Sequence, residues 1–445
     1  MSKTYRPWNP DQQWLLPPSP RQWLPQGDLV YFVMDVVRQL DLSPITRVYE
    51  QSDRGYPPFH PRMMVCLLMY SYAMGVRSSR KIAQQCERDV AWRVLVGQDA
   101  PDFRTISLFR KTHLEAFANL FVQVVQIARE AGLVKLGHVS LDGTKVKANA
   151  SRHKAMSYGR MKQEEVRLRQ EIRDLLAQAE AADAQEDAVH GKERRGDELP
   201  AELARREDRL KRIEAARKAL EQREREKQRD RDQDGTGKPA AGKEPSSQVQ
   251  VPEKAQYNFT DPESRIMKAN NKGWDQCGNA QAVVDAEAQI IVAADVTDQT
   301  TDVQQVEPMV QQGIENTGVT PDAISMDAGY FSETNLSHLA EKRMDAYIAT
   351  GRMKHGDPIP AAPRGRIPDG YTPRQRMARK LRTKKGRATY ARRKAIVEPV
   401  FGQLKRVMGF GQFLLRGLKQ MRGEWRLGCL AYNLRRLLGC GVQVA

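Results

Sequence analysis

The residues best suited to chemistry lie in Tyr390-Ala-Arg-Arg-Lys-Ala-Ile-Val-Glu-Pro-Val-Phe-Gly-Gln-Leu-Lys405, which sets one carboxylate, Glu398, among cations. Glu398 and Lys405 are seven residues apart, two helical turns, so they share a side of any helix they occupy. Lys394, four before Glu398, shares it too. At a surface such a cluster adds little stability, because exposed ion pairs contribute at most about 1 kcal/mol. It makes chemical sense if a metal ion sits on the acid and a phosphate backbone lies on the bases. Two further acids have matching settings. Gly137-His-Val-Ser-Leu-Asp142-Gly is an apolar run ending in an acid before a glycine, and Ala323-Ile-Ser-Met-Asp327-Ala-Gly-Tyr-Phe331 repeats the pattern. A glycine beside such an acid admits close approach of a ligand or metal. Taken alone, Asp142-Gly143 reads more readily as a hairpin turn.

Three carboxylates brought together repel one another unless cations neutralise them, and oxygen-rich sites suit Mg²⁺ or Mn²⁺. Two such ions, about 3.5–4 Å apart, would activate water or a 3′-hydroxyl on one side of a phosphodiester and stabilise the leaving oxygen on the other. The groups offered to DNA are the Tyr390 hydroxyl and the cations Arg393, Lys394 and Lys405 of this segment, with Lys145 just after the first acid. Competing acids read as turn or loop residues: Asp285, Glu287 and Asp295 near strand turns, Asp261 and Asp275 in loops. Tyr330 and Phe331 suit base stacking or core packing, and Trp274 and Trp425 read as packing residues.

The elements that must position these groups follow from periodicity. Residues 1–27 form an irregular arm, and 28–134 are helical, with apolar residues recurring at Leu29, Phe32, Val33, Val36 and Val37 and from Phe117 to Ile127. Short helices at Ser78–Cys86, Asp89–Leu95 and Ser107–His113 display Arg77, Arg80, Arg104 and Arg110. This reads as a helix-turn-helix-like DNA-binding array or as a plain bundle with solvated bases. Residues 135–154 open an α/β unit with a strand at Asp142. Residues 155–256 interrupt it with two apolar stripes, Leu168 to Ala179 and Leu203 to Leu220, amid dense charge. These imply a helical hairpin or coiled coil turning at Gly191 and Gly196, with a flexible linker from Gln228 to Lys254. From 257 to 445 strands resume at Asn279–Asp285, Gln289–Val296, Ala323–Asp327 and Asp345–Thr350. A helix spans Asp302–Gln312, a loop 351–387, and an amphipathic helix Glu424–Leu438. Pro399 places Glu398 at a kink or a new helix start. One mixed sheet with flanking helices can then bring the three acids to one end of its strands.

Bulk properties agree. The chain has 445 residues, and Lys plus Arg outnumber Asp plus Glu by 72 to 55, a net charge of +17 that favours a polyanionic partner. Five scattered cysteines argue against a disulfide framework or a zinc ribbon. The start lacks an apolar leader core, and the longest uncharged apolar run, Met63 to Gly75, is too short to span a bilayer. The chain reads as cytoplasmic.

Together these motifs resemble a bacterial insertion-sequence transposase of the DDE class. Ser140-Leu-Asp142-Gly-Thr-Lys-Val-Lys-Ala-Asn149 matches the first-acid motif, Ser325-Met-Asp327-Ala-Gly-Tyr-Phe331 the second and Val397-Glu398-Pro-Val-Phe-Gly-Gln-Leu-Lys405 the third. Pro101-Asp-Phe-Arg-Thr-Ile-Ser-Leu-Phe-Arg110 is similar to the helical domain ahead of the first acid. The resemblance implies an RNase H-like mixed sheet behind an all-α N-terminal domain. It implies catalysis by Asp142, Asp327 and Glu398 with two Mg²⁺ or Mn²⁺ ions. It also implies binding of terminal inverted repeats and target DNA, a homodimer or larger assembly on DNA, no membrane, and association with the nucleoid when active. Relatives space a Tyr, an Arg three on and the Glu four beyond; here Lys occupies 394 and Tyr390 is one residue early. A DNA-binding relic and an RNase H-like nuclease without strand transfer are the alternatives.

Overall fold

The computed structural model describes residues 19, 22–50, 57–97, 99–190, 201–233, 250–268, 273–351 and 361–443. Most of the arm and the turn at Gly191 and Gly196 lie outside them. Seven helices come first: α1 (Leu29–Gln39), α2 (Ser43–Glu50), α3 (Pro61–Ala73), α4 (Ser79–Arg88), α5 (Val90–Val96), α6 (Phe103–Thr112) and α7 (Leu114–Glu130). Pro61 opens α3, where its missing N–H costs nothing. Every α3 residue from Met64 to Ala73 is buried, so it is the axis of the bundle, against α1, α5 and α14 (Leu418–Gly439). Asp102 caps α6 by accepting from the Thr105 N–H, which starts that helix at Phe103, earlier than the expected Ser107.

The sheet begins with β1 (Val139–Lys147), one strand running straight through Asp142-Gly143 where a turn was the simpler reading. Strands β2 (Ala155–Ser157) and β3 (Gln256–Asn258) pair antiparallel and bracket two long helices, α8 (Tyr158–His190) and α9 (Ala201–Gln233). These close on a small core of their own, containing Tyr158, Met161, Leu168, Ile213 and Leu220. Helix α9 continues to Gln233, into the segment expected to be linker.

Then come β4 (Arg265–Lys268), β5 (Trp274–Asp285), β6 (Ile291–Thr297), α10 (Val306–Thr317), β7 (Ala323–Met326), α11 (Glu333–Glu341), β8 (Asp345–Ile348), α12 (Pro373–Arg382), α13 (Lys384–Gly402) and α14. The sheet order is β4-β5-β1-β7-β8, with β6 also on β5. β1 is antiparallel to β5 and parallel to β7, and β7 is parallel to β8. A helical region followed by this mixed sheet is the RNase H-like arrangement.

Several expectations are corrected. The stretch 351–387 is not all loop: Thr372 and Gln375 form a capping box and Pro373 takes the first position of α12. Nor does Pro399 start a new helix at Glu398, since α13 continues through it. Proline removes the N–H that would bond the Ala395 carbonyl, and the Gln289 side chain supplies the missing donor at 2.8 Å. The irregularity comes one turn later, as a π-helical turn at Gln403–Val407. Trp274 is 60% exposed and does not pack, whereas Trp425 is fully buried. Asp275 and Asp261 are buried, Asp275 within β5 beside Lys147.

Candidate active site

Two of the three acids are placed by strand register. Val139 and Ser140 of β1 stand opposite Ile324 and Ser325 of β7 in the parallel pair. Two residues on from Ser140 and Ser325 lie Asp142, within β1, and Asp327, just past the end of β7. Side chains alternate along β1, so Asp142 shares with Ser140 and Thr144 the face opposite to Leu141, Gly143 and Lys145. Asp327 ends β7 and caps a short 3₁₀ turn, accepting from the Gly329 N–H at 2.8 Å.

Helix α13 lies over β1, β7 and β8, anchored by buried Ile396, Val397 and Val400. From it Arg393 Nη1 donates to Asp142 Oδ2 at 2.8 Å, and its guanidinium lies 5.9 Å from the centre of the Tyr390 ring. Burial pushes the Asp142 carboxyl up to about 6; the Arg393 charge opposes that rise and the nearby Asp327 carboxylate adds to it. Burial likewise raises the Tyr390 phenol. Arg393 Nε is buried without a hydrogen-bond partner. This is a largely buried carboxylate near a second, part-exposed one, with the Arg393 guanidinium as its charged partner.

The other face of β1 carries a network that sequence reading missed. Asp302, just before α10, accepts on Oδ1 from Lys145 Nζ (3.2 Å), Asn279 Nδ2 (2.6 Å) and Gln281 Nε2 (2.9 Å). The buried Tyr330 hydroxyl donates to Gln281 Oε1. Burial raises the Tyr330 phenol well above its ordinary range, and Asp302, Asp142 and Asp327 push it further. Two glycines make the room. A Cβ at Gly143 would come within 3.1 Å of Asp302 Oδ1, and one at Gly329 within 3.0 Å of Asp327 Oδ1 and 3.5 Å of Asp302 Oδ2. Asp302 stands at the head of a helix the sequence predicts, but no local motif marks a residue whose role comes from strand pairing.

Glu398 is different. It is exposed on α13, and among the described residues no group of three or more acid, His or Cys side chains is close enough to hold a metal ion. The expected bases also divide. Lys405 is half-buried, donating to the Lys145 carbonyl at 2.9 Å, and burial lowers its ammonium. Lys145 is committed to Asp302 and Arg393 to Asp142. Arg110 is not displayed at all: it is 5% exposed and donates to the Tyr72 hydroxyl and the Arg77 carbonyl. Arg77 is buried too, paired with Glu424. Arg80 and Arg104 are exposed, 5.2 and 5.6 Å from the centre of the Phe103 ring, and Lys394 is exposed.

Comparison with known families decides the class. The family described as Transposase DDE domain matches residues 225–434, and Transposase domain (DUF772) matches residues 18–112. The chain belongs to the DDE transposases of insertion sequences. In this transposase Asp327 and Glu398 fall within the first match, while Asp142 lies ahead of it, separated by the α8–α9 hairpin. No curated protein and no solved structure matches the chain. Among the described residues of the transposase no helix is long and apolar enough to cross a membrane.

The acids present suit a hard divalent cation. Asp142 and Asp327 offer carboxylate oxygens, and the upward shift of Asp142 reports a burial and like-charge penalty that a bound cation would relieve.

Proposed function

We propose that this transposase binds the ends of its element, cuts a phosphodiester there and joins the freed 3′-hydroxyl to target DNA. Asp142, Asp327 and Glu398 serve as the acids. The observation that supports the reading is that Asp142 and Asp327 each lie two residues beyond a parallel β1–β7 pair, Ser140 and Ser325, close enough for the Asp327 charge to add to the burial that raises Asp142. Mg²⁺ or Mn²⁺ held by these carboxylates would supply Lewis-acid activation of the attacking oxygen and stabilise the leaving one. The chain's own work is positional. Arg393 holds the Asp142 carboxylate in its rotamer, and Asp302 ties Lys145 to the far face of β1. Gly329 keeps a side chain away from Asp327, and Gly143 leaves room for the Asp302 network on the far face. Exposed Arg80, Arg104 and Lys394 are the bases offered to DNA phosphates.

Glu398 joins the two aspartates, in this reading, when DNA and metal bind and α13 shifts. The π-helical turn at Gln403–Val407 lies just beyond it, and such turns often mark functional irregularities in helices. The exposure of Glu398, and the lack of a three-carboxylate group among the described residues, also favour a second reading, a chain that binds DNA without cutting it. Nicking of supercoiled plasmid carrying the element ends separates the two. The wild-type chain is expected to nick with Mg²⁺, and Asp142→Asn to lose at least about 100-fold in rate while still shifting end DNA on a gel. Wild-type binding without nicking in Mg²⁺ or Mn²⁺ selects the second reading.

A further inference from the structure

The α8–α9 hairpin meets the sheet around a cavity of about 470 Å³ that is separate from the acid site. Four stretches of chain line it: Lys154 after β1, Arg209 and Arg212 on α9, Phe259 and Thr260 after β3, and Arg416 ahead of α14. No lining residue is acidic. Arg209 Nη2 is paired with Glu164 at 2.7 Å, and Arg416 Nε donates to the Asn149 carbonyl at 2.9 Å, which leaves its terminal nitrogens. Lys154 and Arg212 are exposed and make no ion pair among the described residues. The Thr260 hydroxyl is buried and lacks a hydrogen-bond partner, a cost that protein interiors rarely accept without a ligand or water.

Of the four cations Arg209 serves the hairpin through its pair with Glu164 of α8, whereas Lys154, Arg212 and the terminal nitrogens of Arg416 add positive charge to a hollow floored by Ile213 of the hairpin's apolar cluster and repel one another there. An anion with several acceptor oxygens resolves both the repulsion and the idle hydroxyl. The continuous chain from Asp142 through β1 to Lys154 links this cavity to the acid site.

We propose that the cavity takes a backbone phosphate of DNA, so that the inserted hairpin is a second grip on the substrate and not a spacer. The inference rests on the DNA-acting reading above but on none of its acids. The test is fluorescence anisotropy of the full chain with a labelled random-sequence duplex, titrated with salt in EDTA. Three proteins are compared: wild type, Lys154→Gln/Arg212→Gln, and Arg38→Gln/Lys135→Gln, which removes the same charge elsewhere. Losing one phosphate contact flattens the slope of log K against log salt by about 0.9. The cavity variant is expected to show that flattening and about tenfold weaker binding at 0.1 M salt, with the control close to wild type. Slope and affinity equal to the control's overturn the proposal and leave the DNA reading standing. A wild-type chain that binds no duplex at low salt overturns both.

Discussion

Arg77 with Glu424 and Arg393 with Asp142 are both acid–guanidinium pairs reaching across the fold, at 2.9 and 2.8 Å, and they are furnished differently. Glu424 is fully buried, and its second oxygen accepts from the N–H groups of Leu414 and Leu415. Arg77 also donates to the Gly409 and Gln412 carbonyls and lies 4.2 Å from the centre of the Phe410 ring. Among the described residues Asp142 has only Arg393 and the Gly143 N–H, lies near Asp327, and is paired to a guanidinium whose Nε goes unmatched. A buried pair with its lone pairs and protons satisfied holds the helical region against the segment after α13. A pair left short of partners stores charge that a cation and a phosphate can use.

The comparison can be broken at its stronger end first. Glu424→Gln strips the counter-charge from buried Arg77 and is expected to cost about 3–5 kcal/mol; urea unfolding showing under 1 kcal/mol would mean the hub is ornamental. Next comes acid. Burial lowers His138, hydrogen-bonded to Ser325 beneath β1 and β7, to about 4. The unfolded chain takes up a proton near the ordinary His value of about 6.5 while the folded one resists, so stability is full above pH 6.5 and is lost as pH falls toward 4. The loss is roughly 3 kcal/mol, and His138→Gln should flatten that part of the profile. An unchanged profile in the variant rejects the assignment. Smallest is the site itself: in EDTA at pH 8, Asp142→Asn removes repulsion with Asp327 and should stabilise the chain by about 0.5–2 kcal/mol. Destabilisation there would make Asp142 structural, like Glu424.

The legible parts of the molecule were those governed by local pattern. Alternating and helical periodicities located the helical region, the hairpin stripes and most strands, and the acid-before-glycine runs marked Asp142 and Asp327. What stayed hidden depended on distant partners. Nothing near Pro399 announces that Gln289 replaces its lost donor. Arg110 looks like any displayed base until Tyr72 and the Arg77 carbonyl are brought to it. Asp302 acquires its role only because β1 pairs with β5, which sets Lys145 beside Asn279 and Gly143 beside Gln281. Glu398 shows the converse: its helical spacing was readable, yet its exposure on α13 was not.

Calorimetric titration of the DNA-bound chain with Mn²⁺ tests the acid pair most directly. Wild type is expected to bind the ion saturably, Asp142→Asn and Asp327→Asn each to lose that heat, and Glu398→Gln to weaken it. Saturable binding of equal affinity in Asp142→Asn and Asp327→Asn would contradict the account.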